Sequence, residues 1–527
     1  MARLSPLQKK LKLQQKTRSA KQSNALAQAT IDSVTLPMGK HIELLVDDFS
    51  HDGRGVGRWH GKTVFVAGCL PGEKVQAEVV HDHKNFAEAK LLEVMQASDI
   101  RQQPPCQHYN DCGGCQLQHL QPAQQVLLKQ QAITQQLSRI AKVTLPAWQP
   151  PLVFNDAGYR RRAHLATRYF ADSHTLLLGF RQAGHRHIVP VAHCLVLAPS
   201  LDQLLAPIRK TILATADPAI YGHVELLQTQ QQPLVVLQVQ QSLTPMDKTL
   251  WQTFAAQQKV GVEVRQPDDI SFFGEADGVC YYQLPALAGQ SEGLKIGFSS
   301  QDFIQVNAEA NAAMVQQAMT WLDVQPGDKI LDLFCGAGNF SLPAASLGAE
   351  VLGVEGDATM VKRASENATR NGLKAAFKQA DLFAADASKH WRGEQFNKLL
   401  LDPPRAGAKD IDKILREQKL EKLVYISCNP ASMARDLKGL QKLGLRVVKA
   451  GCIDMFPHTP HLEVMTLLES VKPGAGGEIQ LTDALDKLLA EQPLEAFLSA
   501  AQVHDCGNKE GFVKANMAVA ERAGMKF

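Results

Sequence analysis

Between residues 41 and 97 apolar and polar residues alternate over short runs: HIELLVDDFS, GVGRWHGKTVFVAG, EKVQAEVVHDHK and FAEAKLLEVMQ. A period of two puts every other side chain on one face of a strand. Gly53, Gly55, Gly57, Gly61 and the Pro71-Gly72 pair supply the turns between runs. The pattern predicts a small β-barrel over 35–98. Residues 99–296 carry further alternating runs, HLATRYF, HTLLLGF, HVELLQT and PLVVLQVQQ, and predict a central β-rich domain. From 297 to 472 the texture changes. Apolar runs such as KILDLF, AEVLGV, NKLLLD and KLVYIS alternate with helical stretches, which predicts a parallel α/β sheet. LRVVKAGCIDMF and HLEVMTLLES close it as two strands joined through PHTP.

In doubly wound sheets ligands bind beyond the carboxyl ends of the strands, and four such ends here carry polar residues. The stretch from Asp332 to Gly338, DLFCGAG, reads as strand, glycine turn and helix start, with Gly336 and Gly338 letting backbone approach a ligand. It lacks the third glycine of the dinucleotide pattern, so a nucleoside without pyrophosphate fits better. On this motif alone S-adenosylmethionine and another nucleotide both stay open. Glu355, ending the next strand, is placed to accept bonds from both ribose hydroxyls, and Asp381 in KQADLF to reach the adenine side. Asp402 ends LLLD.

Cys428 stands at the fourth end, after LVYIS and before an Asn-Pro turn. A thiol there faces a substrate beside a methyl donor. Pyrimidine C5 is too weak a nucleophile to attack a sulfonium methyl. Addition of a thiolate to C6 makes C5 an enolate carbon that can, and release of the thiol then needs a base to take the C5 proton. Glu463 in PHTPHLEVM is the candidate base. A buried inert thiol is the competing reading of Cys428 taken alone.

A chain of 527 residues exceeds one core and divides into about three or four domains of ordinary size. With 45% apolar and 21% charged residues, and no apolar run near the ~20 residues of a membrane span, it is expected to be cytoplasmic, with no membrane partner. In that compartment ten cysteines argue for metal binding or catalysis rather than disulfides. Cys106, Cys112 and Cys115 are spaced C-x5-C-x2-C around Gly113-Gly114, a strong metal or cluster signal. His108 or His119 would complete a zinc site. Cys194 in VAHCLVL is the natural fourth thiolate, and spacing does not separate zinc from an iron–sulfur cluster.

The net charge of +3 conceals an asymmetry: residues 1–30 carry seven basic groups and no acid, leaving −4 for the remainder (3 − 7). The segment 1–34 is expected to be a flexible basic arm that meets a polyanion. Arg54, Arg58, Trp59, His60 and Lys62 on the barrel are candidate nucleic-acid contacts. Arg160, Arg161, Arg162, Arg181 and Arg186 are candidate phosphate contacts.

Two resemblances follow from these motifs. The order DGRGVG, VFV, PGE and Val75 resembles the TRAM domain, an OB-like RNA-binding barrel. DLFCGAGNF, LLLDPPRAG, VYISCNPASMARD and DMFPHTPHLEVM, in this order, resemble the RNA uracil-C5 methyltransferases. The likeness runs from about residue 36 to Lys472. It implies a Rossmann-like class I methyltransferase domain, with Cys428 as nucleophile and Glu463 as base. Gln305, Phe334, Asn339, Glu355, Asp381 and Asp402 would contact S-adenosylmethionine or lie beside it, and Cys106, Cys112, Cys115 and Cys194 would hold a [4Fe–4S] cluster. Having both barrel and cysteines implies 23S ribosomal RNA as substrate, with no DNA and a monomeric enzyme. The alternatives are a uridine in another ribosomal or transfer RNA, or a non-catalytic RNA-binding iron–sulfur protein; the complete set of Cys428, Glu463 and Asp402 counts against the latter. Residues 473–527 resemble a carboxy-terminal fragment of UTP–glucose-1-phosphate uridylyltransferases without their glycine-rich start, so no uridylyltransferase activity is expected.

Overall fold

The computed structural model describes residues 36–141, 145–275 and 278–470; the basic arm expected over 1–34 and the appended segment expected over 473–527 lie outside the described residues. Five strands, β1 (His41–Phe49), β2 (Arg54–Trp59), β3 (Lys62–Ala67), β4 (Lys74–Asp82) and β5 (Phe86–Gln96), close into a barrel in the order β1-β2-β3-β5-β4. Alternation in β1 turns Ile42, Leu44 and Val46 inward against Val64, Val66, Val75 and Ala77. Closure pairs every strand and leaves no open edge. The barrel is tied to the segment that follows it by the fully buried Glu73 carboxylate, which accepts the Arg101 fork at 2.5 and 2.8 Å.

The central sheet comprises β6 (Arg162–Phe170), β7 (Thr175–Arg181), β8 (Ile188–Pro190), β9 (Tyr221–Leu227), β10 (Leu234–Val239), β11 (Gly261–Arg265) and β12 (Ile270–Phe273), ordered β12-β11-β10-β9-β6-β7-β8. Its core includes Ile208 and Ile212 from the helix Leu205–Leu213 and Trp251 and Phe254 from the helix Pro245–Gln258. The second helix begins at a Thr244–Asp247 capping box with Pro245 in its first turn, an arrangement that satisfies otherwise unpaired amide donors.

A hairpin of β13 (Cys280–Leu284) and β14 (Leu294–Phe298) shares one core with the helix Ala308–Leu322, so the boundary expected at 296 falls inside β14. The last sheet contains β15 (Lys329–Leu333), β16 (Glu350–Glu355), β17 (Ala375–Gln379), β18 (Lys398–Leu401), β19 (Lys422–Ser427), β20 (Leu445–Ile453) and β21 (Glu463–Ser470). Its order is β17-β16-β15-β18-β19-β21-β20, with β15 to β19 parallel and β21 antiparallel to both its neighbours. The chain reverses its winding between β15 and β18, which opens a crevice at their carboxyl ends.

The sequence reading left the 20-residue helix Pro122–Ala141 unassigned. Its glutamine-rich surface hides a narrow apolar stripe, Val126, Ile133 and Leu137, buried in a core shared with the helix Pro430–Gln441. Lys129 of this helix is buried with Asp454 in an ion pair of 2.9 Å. Among the described residues no helix is long and apolar enough to cross a membrane.

Candidate active site

The antiparallel β21 is what builds the site. It begins where the parallel strands end. The register pairs Ser427 with Val464, so Cys428, the next residue after β19, falls opposite Glu463, the first residue of β21. Both line one cavity of about 1110 Å³, together with Gln305, Phe334, Asn339, Glu355, Asp381 and Asp402. All eight residues named from the sequence as catalytic or donor-binding therefore border the same space.

The turn after β15 has a strained backbone. Phe334, Gly336 and Gly338 all have positive φ (64°, 54° and 94°), and a bulky residue in that region is an outlier that points to function. The two glycines serve different ends. A Cβ on Gly338 would meet Leu342 Cγ at 2.9 Å, so that glycine admits the following helix, while beside Gly336 there is room to spare, with Met360 Cε 3.7 Å away. Glu355 braces the turn by accepting from Gly336 N at 3.1 Å, and its other oxygen accepts from Gly356 N and Asp357 N at 2.6 and 3.1 Å. Asn339 is held by a reciprocal amide pair with Asn311 at 2.9 and 3.0 Å, and its Oδ1 also accepts from the Tyr282 hydroxyl at 3.0 Å.

The cavity disfavours negative charge. Burial raises Glu463 to about 8, helped by the neighbouring Asp402, and raises Asp402 itself to about 7. Asp332, beneath the glycine turn, is likewise raised by burial to about 7. Burial and the charge of Glu463 push the Cys428 thiol up to about 11, against a lowering pull from Arg405. A cation entering among these groups favours their ionised forms. The cavity is thus arranged to take a positively charged ligand beside a thiol and a base.

Sequence reasoning passed over Phe303, Phe383, Arg405 and His461, which also line the cavity. Phe303 is 73% exposed at its rim and Phe383 is 52% exposed. The Phe383 ring lies 5.8 Å from that of Phe334. An exposed aromatic beside an acid at a strand end was the available signal, in the same ADLF run that yielded Asp381.

Several basic candidates are structural. Lys62 is buried, its Nζ 2.5 Å from Asp82. Arg54 pairs with Asp52 and Glu88 and lies over the Phe65 ring. Arg161 is buried over Tyr282, and Arg162 pairs with Glu225 at 2.5 Å. Arg160 lines the cavity, while Arg58, His60, Arg181 and Arg186 are exposed.

The cysteine loop lies against β7 and the turn that follows it: Cys112 bridges Gln182, and Gly113 N donates to Arg181 O at 3.0 Å. Among the described residues no three Cys, His, Asp or Glu side chains close on a point that would hold a single metal ion. The four thiols nonetheless feel one another: burial, with a smaller push from Cys194, Cys112 and Cys106, raises Cys115 to about 12, and Cys194 is raised by burial with a push from Cys112 and Cys106. Four cysteines are a donor set that both a zinc ion and an iron–sulfur cluster take. His119 commits Nδ1 to the Tyr109 hydroxyl at 2.5 Å.

Comparison with known proteins accords with this geometry. The profile of the family described as tRNA (Uracil-5-)-methyltransferase matches residues 286–471, and that of the TRAM domain matches residues 38–92. The 23S rRNA (uracil(1939)-C(5))-methyltransferase RlmD of Shewanella amazonensis is 42% identical over 436 residues, 82% of this chain and 97% of its own. That of Pseudomonas fluorescens is 39% identical over 441 residues, 84% of this chain and 94% of its own. Among solved structures, the Pyrococcus abyssi tRNA (uracil-54, C5)-methyltransferase in complex with S-adenosyl-L-homocysteine shares the fold, with a TM-score of 0.62, 22% identity, and coverage of 81% of this chain and 100% of that one. The chain belongs to the RlmD family of RNA uracil-C5 methyltransferases, which take their methyl group from S-adenosylmethionine.

Proposed function

We propose that this enzyme methylates C5 of uracil 1939 in 23S ribosomal RNA, the position for which its relatives are named, with Cys428 as nucleophile and Glu463 as base. The observation that carries the reading is the cross-strand placement of Cys428 and Glu463 at one cavity edge. S-adenosylmethionine supplies an electrophilic methyl group; Glu355 and Asp381 would hold its ribose and adenine, with Gln305, Phe334, Asn339 and Asp402 around the remainder. Cys428, its thiol proton lost to water, adds as thiolate through Sγ to C6 of the uracil, which makes C5 nucleophilic. After C5 has taken the methyl group, the Glu463 carboxylate accepts the C5 proton, the C5=C6 bond re-forms and the thiolate leaves. C6 is hidden within stacked RNA, so the uridine is flipped into the cavity, and Arg160 and the barrel's exposed Arg58 and His60 serve the flanking strand.

Cys106, Cys112, Cys115 and Cys194 would hold a [4Fe–4S] cluster that ties the cysteine loop to the central sheet. The nearness of the four thiols, which the charges of Cys106, Cys112 and Cys194 on Cys115 reflect, is what supports this. The test of function is transfer of labelled methyl from S-adenosylmethionine to unmodified 23S ribosomal RNA and, separately, to transfer RNA. Label in one ribosomal uridine, lost in Cys428→Ala, is the expected result. Label in transfer RNA overturns the substrate, and label in neither overturns the reading.

A further inference from the structure

Residues 454–462, which connect β20 to β21 and lead directly into Glu463, are held from outside the methyltransferase sheet. Gln116 N and Leu117 N, just after the cysteine loop, both donate to His458 O at 2.8 and 2.9 Å. His458 N donates to Gln125 Oε1 at 2.8 Å, and Gln125 Nε2 donates to Leu117 O and Leu120 O at 3.2 and 3.0 Å. The Tyr159 hydroxyl donates to Pro457 O at 3.0 Å. Gln125 and His458 are both buried. A neutral amide suits this place because it accepts from one backbone and donates to another at the same time. His458 has φ 66°, a conformation a non-glycine residue keeps only where its surroundings impose it.

Cys428 is anchored differently. The Asn429 side chain donates to Arg405 O at 2.8 Å and its backbone N donates to Ser427 Oγ at 3.1 Å, all within the sheet's own loops. The thiol is thus anchored within the methyltransferase sheet alone, whereas the base begins β21, paired with Ile453, and the loop leading into it is held in addition by the helix Pro122–Ala141 and the segment after the cysteine loop.

We propose that Gln125, acting through His458, is a positioning residue that sets the Glu463 carboxylate for removal of the C5 proton and has little part in thiol addition. The inference rests on the reading of Glu463 as the base. In the step concerned, the C5–H bond breaks and its proton passes to Glu463. The electron pair forms the C5=C6 bond, and the C6–S bond breaks with its pair going to Cys428 as thiolate. A carboxylate displaced by about 1 Å slows such a transfer on the order of tenfold or more.

The experiment compares full-length wild type with Gln125→Ala on two versions of a 23S ribosomal RNA fragment, one with uridine and one with 5-fluorouridine at the target, in the presence of S-adenosylmethionine. With uridine, the variant is expected to turn over about tenfold more slowly and to accumulate a covalent protein–RNA band on a denaturing gel. With 5-fluorouridine, whose adduct forms without any C5 proton being removed, its rate of adduct formation is expected to stay within about twofold of wild type. Equal slowing on both RNAs, or unchanged turnover, overturns the proposal. His458→Asn, which tolerates the left-handed backbone and loses the ring, is the second variant and is expected to shift the same two readouts in the same direction if Gln125→Ala does not fold. Glu463→Gln separates the two claims: turnover without an accumulated adduct removes Glu463 as base, whatever Gln125 does.

Discussion

The donor side of the active site and the cysteine loop are both sets of chemically committed side chains, yet they are organised in different ways. Glu355, Asp381, Asp402 and Cys428 lie just beyond or at the ends of neighbouring strands, and Glu463 begins a strand that runs the other way, so backbone pairing brings them to one cavity before any ligand arrives. Cys106, Cys112 and Cys115 lie on a loop without regular pairing apart from the bridge at Cys112, and Cys194 on a separate turn; they approach one another without converging on a point. Strand register is a placement that sequence and hydrogen bonding supply by themselves. The final positions of the loop thiols would be set by the proposed cluster, since metal binding couples to folding.

The largest effect that would test this contrast comes from one atom on each side. Cys428→Ala is expected to lower methyl transfer on the order of 10⁴-fold or more, as loss of a covalent nucleophile does, with S-adenosylmethionine affinity measured by calorimetry changed by no more than about twofold. Cys112→Ser is expected to deplete iron and visible absorbance in anaerobically purified protein while leaving that same affinity within about twofold. If Cys112→Ser instead abolishes donor binding, the cavity is not independent of the cysteine loop and the contrast fails.

A smaller effect lies at the seam between the two regions. Lys129 and Asp454 form a buried pair with side-chain exposures of 1% and 4%. Burial lowers Lys129 from its ordinary range, and Asp454 opposes that pull. Removing one partner leaves the other charge uncompensated, so Lys129→Met is expected to destabilise the protein by about 3–5 kcal/mol in urea unfolding. The double variant Lys129→Met with Asp454→Leu should regain most of that loss. A single variant with the stability of wild type would mean that Asp454 is neutral in the folded chain.

How much of this could be read in the residues follows the same division. The four strand ends were legible because short apolar runs stop at the glycine turn after Cys335, at Glu355, at Asp402 and at Ser427-Cys428. Glu463 was named from its motif, but its place opposite Cys428 depends on β21 inserting between β19 and β20, an order that no local pattern encodes. The helix Pro122–Ala141 escaped because its buried apolar positions, Val126, Ala132, Ile133 and Leu137, are diluted by glutamines that face outward or, like Gln125, bond buried backbone. Lys62, Arg161 and Arg162 looked like RNA contacts because a basic residue reads the same in sequence whether it faces water or Asp82, Tyr282 or Glu225.

The smallest effect concerns what the sheet costs by burying an acid ahead of its ligand. Glu463 is raised by burial to about 8 from an ordinary 4.5, so the folded protein keeps a proton that the unfolded chain gives up. Stability therefore falls as pH rises from about 4.5 to about 8 and levels off above. Glu463→Gln removes that dependence. Its melting temperature relative to wild type should rise little at the acid end of this range and by a few degrees at the alkaline end, at ~2–4 °C per kcal/mol for a domain of this size. Saturating S-adenosylmethionine should shrink the difference, because its sulfonium charge favours the carboxylate of the wild type and has no such partner in the amide. An equal shift throughout, with and without the donor, would mean that Glu463 titrates as an ordinary carboxyl and that the strand register delivers it to the cavity without altering its chemistry.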